Sequence, residues 1–323
     1  SDIASDEFAA DLDRFARVCR TVKGLKNARI GSIGARTGAF QTVRFSEKIL
    51  QASGVTVVTV DLSEILGAAQ AINSDAPEVK AQLEKIASYG RIPAHIKREN
   101  IVKQAKLTLA VNRWIEANEC DASAIQCWTS VQDNYGCATC LSMSMLSERL
   151  MPSACEVDVA GAISMYALAL ASGAPPALLD WNNNYGDAED KLILFHCGSC
   201  AQSLMTKKGT VTSHKMFDKG DPGSGWGTNE GRIRPFKTTI SNCLTVDGKI
   251  KIYASEAEFT DDPIEDAYFG CAGVCQIPNM EDKMIRLARG GFKHHTCVGV
   301  GHMKDILKEA FTTYLGYEWV DID

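Results

Sequence analysis

The sequence predicts an α/β protein in two parts. Residues 1–171 read as a Rossmann-like parallel-sheet domain, and residues 172–323 as an α+β domain with a mainly antiparallel sheet or barrel. Three observations predict this. ARIGSIG (28–34), VTVVTVD (55–61) and ASAIQCW (122–128) are short apolar or β-branched runs separated by helical stretches, the pattern of a buried parallel sheet. The Ala-rich run VAGAISMYALALASG is apolar on most sides and reads as a buried helix stopped by Gly173. Beyond Gly173 the chain turns to glycine-rich, alternating runs such as IRPFKTTISNCLTVDG and KIKIYASEAEF, with a hairpin signal at Asp247–Gly248.

From the N terminus, residues 5–20 read as an amphipathic helix carrying Phe8, Leu12, Phe15, Val18 and Cys19, with Ser5 as N-cap. QTVRFSEKILQASG (41–54) reads as a helix closed by Gly54. The glycines of GSIGARTG do not spell G-x-G-x-x-G, so they serve a tight turn better than a dinucleotide, and a nicotinamide oxidoreductase is disfavoured. Residues 62–118 are mostly helical, with breaks around Asn73–Pro77 and Tyr89–Pro93, and TCLSMSMLSERL (139–150) is a further helix. Glu156 stands just before the Ala-rich helix, where a carboxylate must be paired, bound to a cation or used as a cap. PALL then stops at Asp180 and LILF at His196, two apolar strands each ending in a metal-competent side chain. The adjacent His294 and His295 follow a Gly-Gly helix stop near the end of the chain. Because neighbouring residues of an extended segment point to opposite sides, only one of these two histidines is expected to face a metal.

Composition limits the function classes. Of the 323 residues 45% are apolar and 23% charged, and the net charge of −6 argues against a nucleic-acid binder, which needs a basic face for phosphates. No apolar run is long enough to span a membrane. The chain opens on Ser without a signal peptide, which suggests a fragment or a processed form in the cytoplasm. Its twelve cysteines are then expected to be reduced. The pairs Cys137–Cys140 and Cys197–Cys200 have C-x-x-C spacing but lie too far apart for an ordinary zinc ribbon. In KGDPGSGWGTNEGR, Trp226 has no apolar period of its own and must be covered by a neighbouring subunit or by its own domain.

Two carboxylates with imidazole suit Mn²⁺, and also Mg²⁺ or Co²⁺, better than a thiolate-loving metal. With that set in view, QCWTS, CEVDVAGAISM, LLDWNNNYGDAEDKLILFHCG, GCAGVCQIPN and GGFKHHT resemble the L-fucose isomerase-like family, related more distantly to the L-arabinose isomerases, from about Ala28 onward. The resemblance implies an aldose–ketose isomerase in which Glu156 and Asp180 are both metal ligands and the acid/base pair. It implies His295 as the imidazole ligand and His196 as a ligand or close support, with Gln126, Trp128, His294 and Trp181 against the sugar. It further implies a monosaccharide substrate, a homo-oligomer of hexamer type, and an N-terminal domain that this chain lacks. A relative that binds sugar or metal without turnover is the alternative.

Overall fold

The computed structural model describes residues 2–217 and 225–323. Its first part alternates helices and strands: α1 (Asp6–Leu25), β1 (Arg29–Ile33), α2 (Glu47–Ala52), β2 (Thr56–Val60), α3 (Leu62–Ala71), α4 (Pro77–Tyr89) and α5 (Arg98–Ala117). It continues with β3 (Ala122–Ile125), α6 (Ser130–Asn134), α7 (Cys140–Glu148), β4 (Ser153–Cys155) and α8 (Val159–Ser172). The four strands pair in parallel in the order β2-β1-β3-β4. The order reverses between β1 and β3, and the loops beyond the carboxyl ends of these strands form one functional edge.

The second part is β5 (Ala177–Asn184), β6 (Lys191–His196), β7 (Thr210–Ser213), β8 (Trp226–Arg232), β9 (Phe236–Val246), β10 (Lys249–Phe259) and β11 (Cys271–Gln276). It ends in α9 (Met280–Arg289), β12 (His295–Val300), α10 (Lys304–Glu309) and β13 (Glu318–Trp319). These strands form one nine-stranded sheet, in which β10, β9, β12, β5, β6 and β11 pair in turn, all antiparallel. The additional pairing of Glu258 with Gln276 and of Phe259 with Cys275 joins β11 back to β10 and closes a barrel. Leu179, Leu194, Tyr253, Phe259 and Val298 make up its buried filling. Each such side chain contributes ~1.5–3 kcal/mol by leaving water. The β9–β10 hairpin turns at Asp247 and Gly248, both with positive φ (52° and 75°), as the sequence predicts.

Helix α8 joins the two parts. Asp158 caps it by accepting from Gly161 N at 2.8 Å, and Gly173 ends it in a left-handed conformation at φ 70°. It lies so close to the barrel wall that a Cβ on Gly161 would stand 2.8 Å from Leu178 Cδ1, and one on Gly299 2.8 Å from Leu168 Cδ2.

Several expectations are corrected. The predicted helix 41–54 is a 3₁₀ turn, Gln41–Val43, followed by the short α2, although Gly54 does end it with φ 90°. On α1, Phe8, Leu12 and Phe15 are exposed, as is Cys19, while Val18, Thr21 and Leu25 are buried. Helix α1 packs on α8 through its second half, so the periodicity of its first half is not a core stripe. Trp226 is fully buried and donates from Nε1 to Val211 O at 3.1 Å, so its own chain covers it. The preceding KGDPGS lies outside the described residues. All twelve cysteines are free. Among the described residues no helix is long and apolar enough to cross a membrane.

Candidate metal centre

Glu156 leaves the end of β4 in an unusual backbone. It and Val157 have φ of 63° and 56°, a region that β-branched residues rarely adopt and that costs of order 1–3 kcal/mol per residue. The turn is held by Val157 N donating to Ile125 O at 3.3 Å and Asp158 N donating to Cys155 O at 3.0 Å. Its result is a buried carboxylate with Oε2 3.2 Å from His295 Nε2.

Asp180 reaches the same imidazole from the barrel. On the antiparallel strands β5 and β12, Asp180 is directly opposite His295, so their side chains share one face. Asp180 Oδ1 is 3.4 Å from His295 Nε2. The expectation that the strand stops at Asp180 is corrected: β5 runs on to Asn184, because Asn183 and Asn184 pair with Ile193 and Leu192 after a register shift. The other face of β5 carries Ala177, Leu179 and Trp181 into the barrel filling. Trp181, half-buried, therefore packs against the barrel filling beside Tyr253, on the face of β5 away from Asp180. Strand alternation sends it there.

His196 ends β6 as expected. Cys197 N donates to its Nδ1 at 2.9 Å, leaving Nε2 4.0 Å from Glu156 Oε1. His294 precedes β12, with Nδ1 in a 3.0 Å hydrogen bond to Thr42 Oγ1 and Nε2 3.8 Å from both Glu156 Oε2 and Asp180 Oδ1. The expectation that only one of the two histidines faces the carboxylates is corrected. His294 lies outside the strand, so pleat alternation does not separate it from His295, and the two rings lie 4.2 Å apart.

The sequence reading missed the group that orients His295. Asp158 is fully buried, and its Oδ2 lies 2.8 Å from His295 Nδ1 while its Oδ1 pairs with Lys293. With Nδ1–H donated to Asp158, Nε2 is the nitrogen that faces the carboxylates, and a cation bound there would take its lone pair, as carboxylate-oriented histidines do at metal sites. The signal for Asp158 was an acidic residue at the N-cap of a buried helix; nothing local marks Lys293 or Thr42.

Electrostatics follow from this packing. Burial favours a neutral Glu156, but the close imidazoles of His294 and His295 outweigh it and hold the carboxyl down at about 2. Burial likewise lowers His295, yet Asp158 and Glu156 reverse the effect and push it up to about 10. Asp158 is held well below the usual carboxylate range: burial opposes this, and Lys293 and His295 overcome it. His196 is lowered, chiefly by burial. Glu156 Oε2, Asp180 Oδ1, His196 Nε2 and His295 Nε2 are all buried without a hydrogen-bond partner. Glu156 with His196 and His295, and Asp180 with His294 and His295, each offer ligand atoms within 4.8 Å of one another. Four orphaned oxygen and nitrogen atoms around one point fit a divalent cation of hard to borderline character.

Aromatic rings border the cluster. Trp128 makes edge contacts with Phe40 at 5.0 Å and Phe217 at 5.1 Å, and Phe40 lies 5.9 Å from His294. Trp128 Nε1 is buried with no partner among the described residues. Gln126 bridges two loops of the parallel sheet. Its Oε1 accepts from Ala35 N at 2.8 Å and its Nε2 donates to Trp128 O at 2.9 Å, tying the loops after β1 and β3 together. It also lines a crevice of about 520 Å³ with Asp61, Leu66 and Ser130 at the switch point of the parallel sheet.

Residues 194–323 match the family described as L-fucose isomerase, C-terminal domain. A sulfoquinovose isomerase of Priestia aryabhattai is 26% identical over 300 residues, which is 92% of this chain and 65% of that protein. One of Alkalicoccus urumqiensis is 32% identical over 192 residues, covering 58% of this chain and 42% of that protein. One of Clostridium sp. (strain MSTE9) is 28% identical over 198 residues, 59% of this chain and 42% of that protein. The chain thus spans less than two thirds of the length of the curated relatives it matches. The barrel thus matches the C-terminal domain of the L-fucose isomerase family over residues 194–323, and a relative that aligns over 92% of the chain extends the similarity to the parallel sheet.

Proposed function

We propose that the protein is a metal-dependent aldose–ketose isomerase of monosaccharides, with Glu156 and Asp180 as its acid/base pair. The observation that carries the reading is the convergence of Glu156 Oε2, Asp180 Oδ1, His196 Nε2 and His295 Nε2, all buried and unpartnered. Glu156, Asp180 and His295 would hold Mn²⁺, Mg²⁺ or Co²⁺, with His196 as a further ligand or support. A cation bound there supplies Lewis acidity that polarises the sugar carbonyl.

The chain's own residues do the rest. One carboxylate takes the proton from the carbon beside the carbonyl, exchanges it with solvent while the enediol stands, and delivers a proton to the neighbouring carbon. The other moves the hydroxyl proton between the two oxygens. Asp158 keeps the His295 tautomer fixed, with Lys293 balancing its charge. Trp128, Phe40 and His294 offer a wall for the apolar face of a sugar ring, and Trp128 Nε1 a free donor for a hydroxyl.

The same reading takes residues 1–171 and 172–323 as two domains meeting at the site. In support, the parallel sheet ends at Cys155, the barrel strands begin at Ala177, and α8 packs on both. It takes the protein as a cytoplasmic homo-oligomer, a hexamer by resemblance; the exposed Phe8, Leu12 and Phe15 of α1 support a covered surface. Sedimentation of the full-length gene product reads the assembly. A panel of aldoses assayed with Mn²⁺ tests the activity, beginning with sulfoquinovose, the sugar in the relatives' names, then L-fucose and L-arabinose. Conversion of one of them is expected. No conversion of any sugar while Mn²⁺ binds would support a non-catalytic metal-binding relative instead.

A further inference from the structure

The Glu156 carboxylate also belongs to a second group of ligands. Cys155 is the last residue of β4 and pairs in register with Ile125, and Cys127 lies two residues past Ile125 at the end of the neighbouring strand. The two thiols and a Glu156 oxygen lie within 4.8 Å of one another. All three residues are buried, and both thiols are free. The Cys155 thiol also touches that of Cys140 at the start of α7. The C-x-x-C pairs seen in the sequence are thus divided. Cys140 touches this buried group, whereas Cys200 interacts with Cys271.

We propose that Cys127, Cys155 and Glu156 form a second cation site, selective for thiophilic divalent ions of the Cd²⁺ and Zn²⁺ class, that competes with the oxygen–nitrogen site for Glu156. Metal–sulfur bonds of about 2.3 Å set tetrahedral ligand atoms ~3.5–4 Å apart, so the observed group needs to contract by only about an ångström. Thiolates select soft ions, while Asp180 with two imidazoles suits harder ones. One carboxylate oxygen set cannot complete both shells, so a soft ion here draws Glu156 away from Asp180 and His295. Binding releases the two thiol protons to solvent and forms two metal–sulfur bonds, with no change of oxidation state. Cys140 is placed to supply a fourth donor. The inhibitory consequence rests on the proposed role of Glu156; the binding does not.

The test is a titration of the metal-free full chain with Cd²⁺ alone, without sugar. The expected result is a saturating ultraviolet thiolate-to-cadmium absorption band and about two protons released per ion. Cys127→Ser and Cys155→Ser should each lose the band, and Cys200→Ser should keep it. Glu156→Gln should weaken binding by at least about tenfold, since even an outer partner of a ligand is worth that much. Circular dichroism confirms that each variant is folded, and Cys127→Ala and Cys155→Ala replace a serine variant that is not. No band at stoichiometric Cd²⁺, or a band that survives either replacement, overturns the second site and leaves the isomerase reading untouched. Failure of the sugar panel would do the reverse.

Discussion

Asp158 shows what a residue-by-residue reading of the sequence can and cannot find. Glu156, Asp180 and His196 could be picked out because each stands where an apolar run stops or a helix begins, and His295 because it follows a Gly-Gly helix stop beside His294. Asp158 was not singled out, because nothing but its place at a helix N-cap marks it, and its larger role depends on Lys293 and His295, 135 and 137 residues away. Asp158→Asn should keep the cap, because Asn accepts from Gly161 N as well, but it leaves Lys293 charged and unpaired in the core. We expect a loss of about 3–5 kcal/mol in denaturant unfolding. Mn²⁺ affinity should fall about 10–100-fold in the same variant. Unchanged affinity would mean that His295 is not held by this carboxylate. His214 gives a pH signature apart from the proposed metal ligands. It is buried against Phe217, with Met216 N on its Nδ1, and burial lowers its imidazole to about 4. Above the unfolded value of ~6.5 both states are neutral. Below it the unfolded chain binds a proton that the folded one refuses, so stability falls as pH drops from ~6.5 to about 4. His214→Asn should remove up to roughly 3 kcal/mol of that fall, read from urea midpoints across the window. A slope equal to the parent's would contradict this.

Elements position these residues through close approach. Helix α8 carries Asp158 at its start and presses on β5 and β12 where small residues allow it. A Cβ on Gly161 would stand 2.5 Å from Asp158 Oδ2 and 2.8 Å from Leu178 Cδ1. Alanine is the better helix former, yet here it must displace both neighbours. Gly161→Ala should therefore destabilise by about 1–3 kcal/mol and weaken Mn²⁺ binding through Asp158. A rise in the urea midpoint would show that helix propensity outweighs the contact. The existence and type of α8, β1, β2 and β3 were legible because their apolar periods are strong. The end of β5 was not: cross-strand pairing with β6 carries three asparagines into a strand that their own propensity disfavours.

At the scale of the molecule, the parallel sheet could be read from strand–helix alternation, and the antiparallel half from its hairpin. Closure of the barrel could not. It depends on two residue pairs between β10 and β11, separated in the chain by the irregular stretch 260–270. Nor could the meeting of the halves, which brings Thr42 to His294 across 252 residues. The site therefore exists only when the carboxyl edge of the first sheet faces the outer wall of the barrel. The chain spans less than two thirds of its curated relatives' length, so assembly and substrate are best read on the full-length gene product.

The central claim is that Glu156 and Asp180 move a proton between adjacent sugar carbons. Isomerisation in D₂O with Mn²⁺, followed by proton magnetic resonance of recovered substrate and product, tests it most directly. The account predicts deuterium at the carbon beside the carbonyl in the parent protein. It predicts neither exchange nor turnover in Glu156→Gln and Asp180→Asn, which change charge at almost constant volume and should remain folded. Complete conversion with the carbon-bound hydrogen fully retained would contradict the account, as would exchange that persists undiminished in both variants.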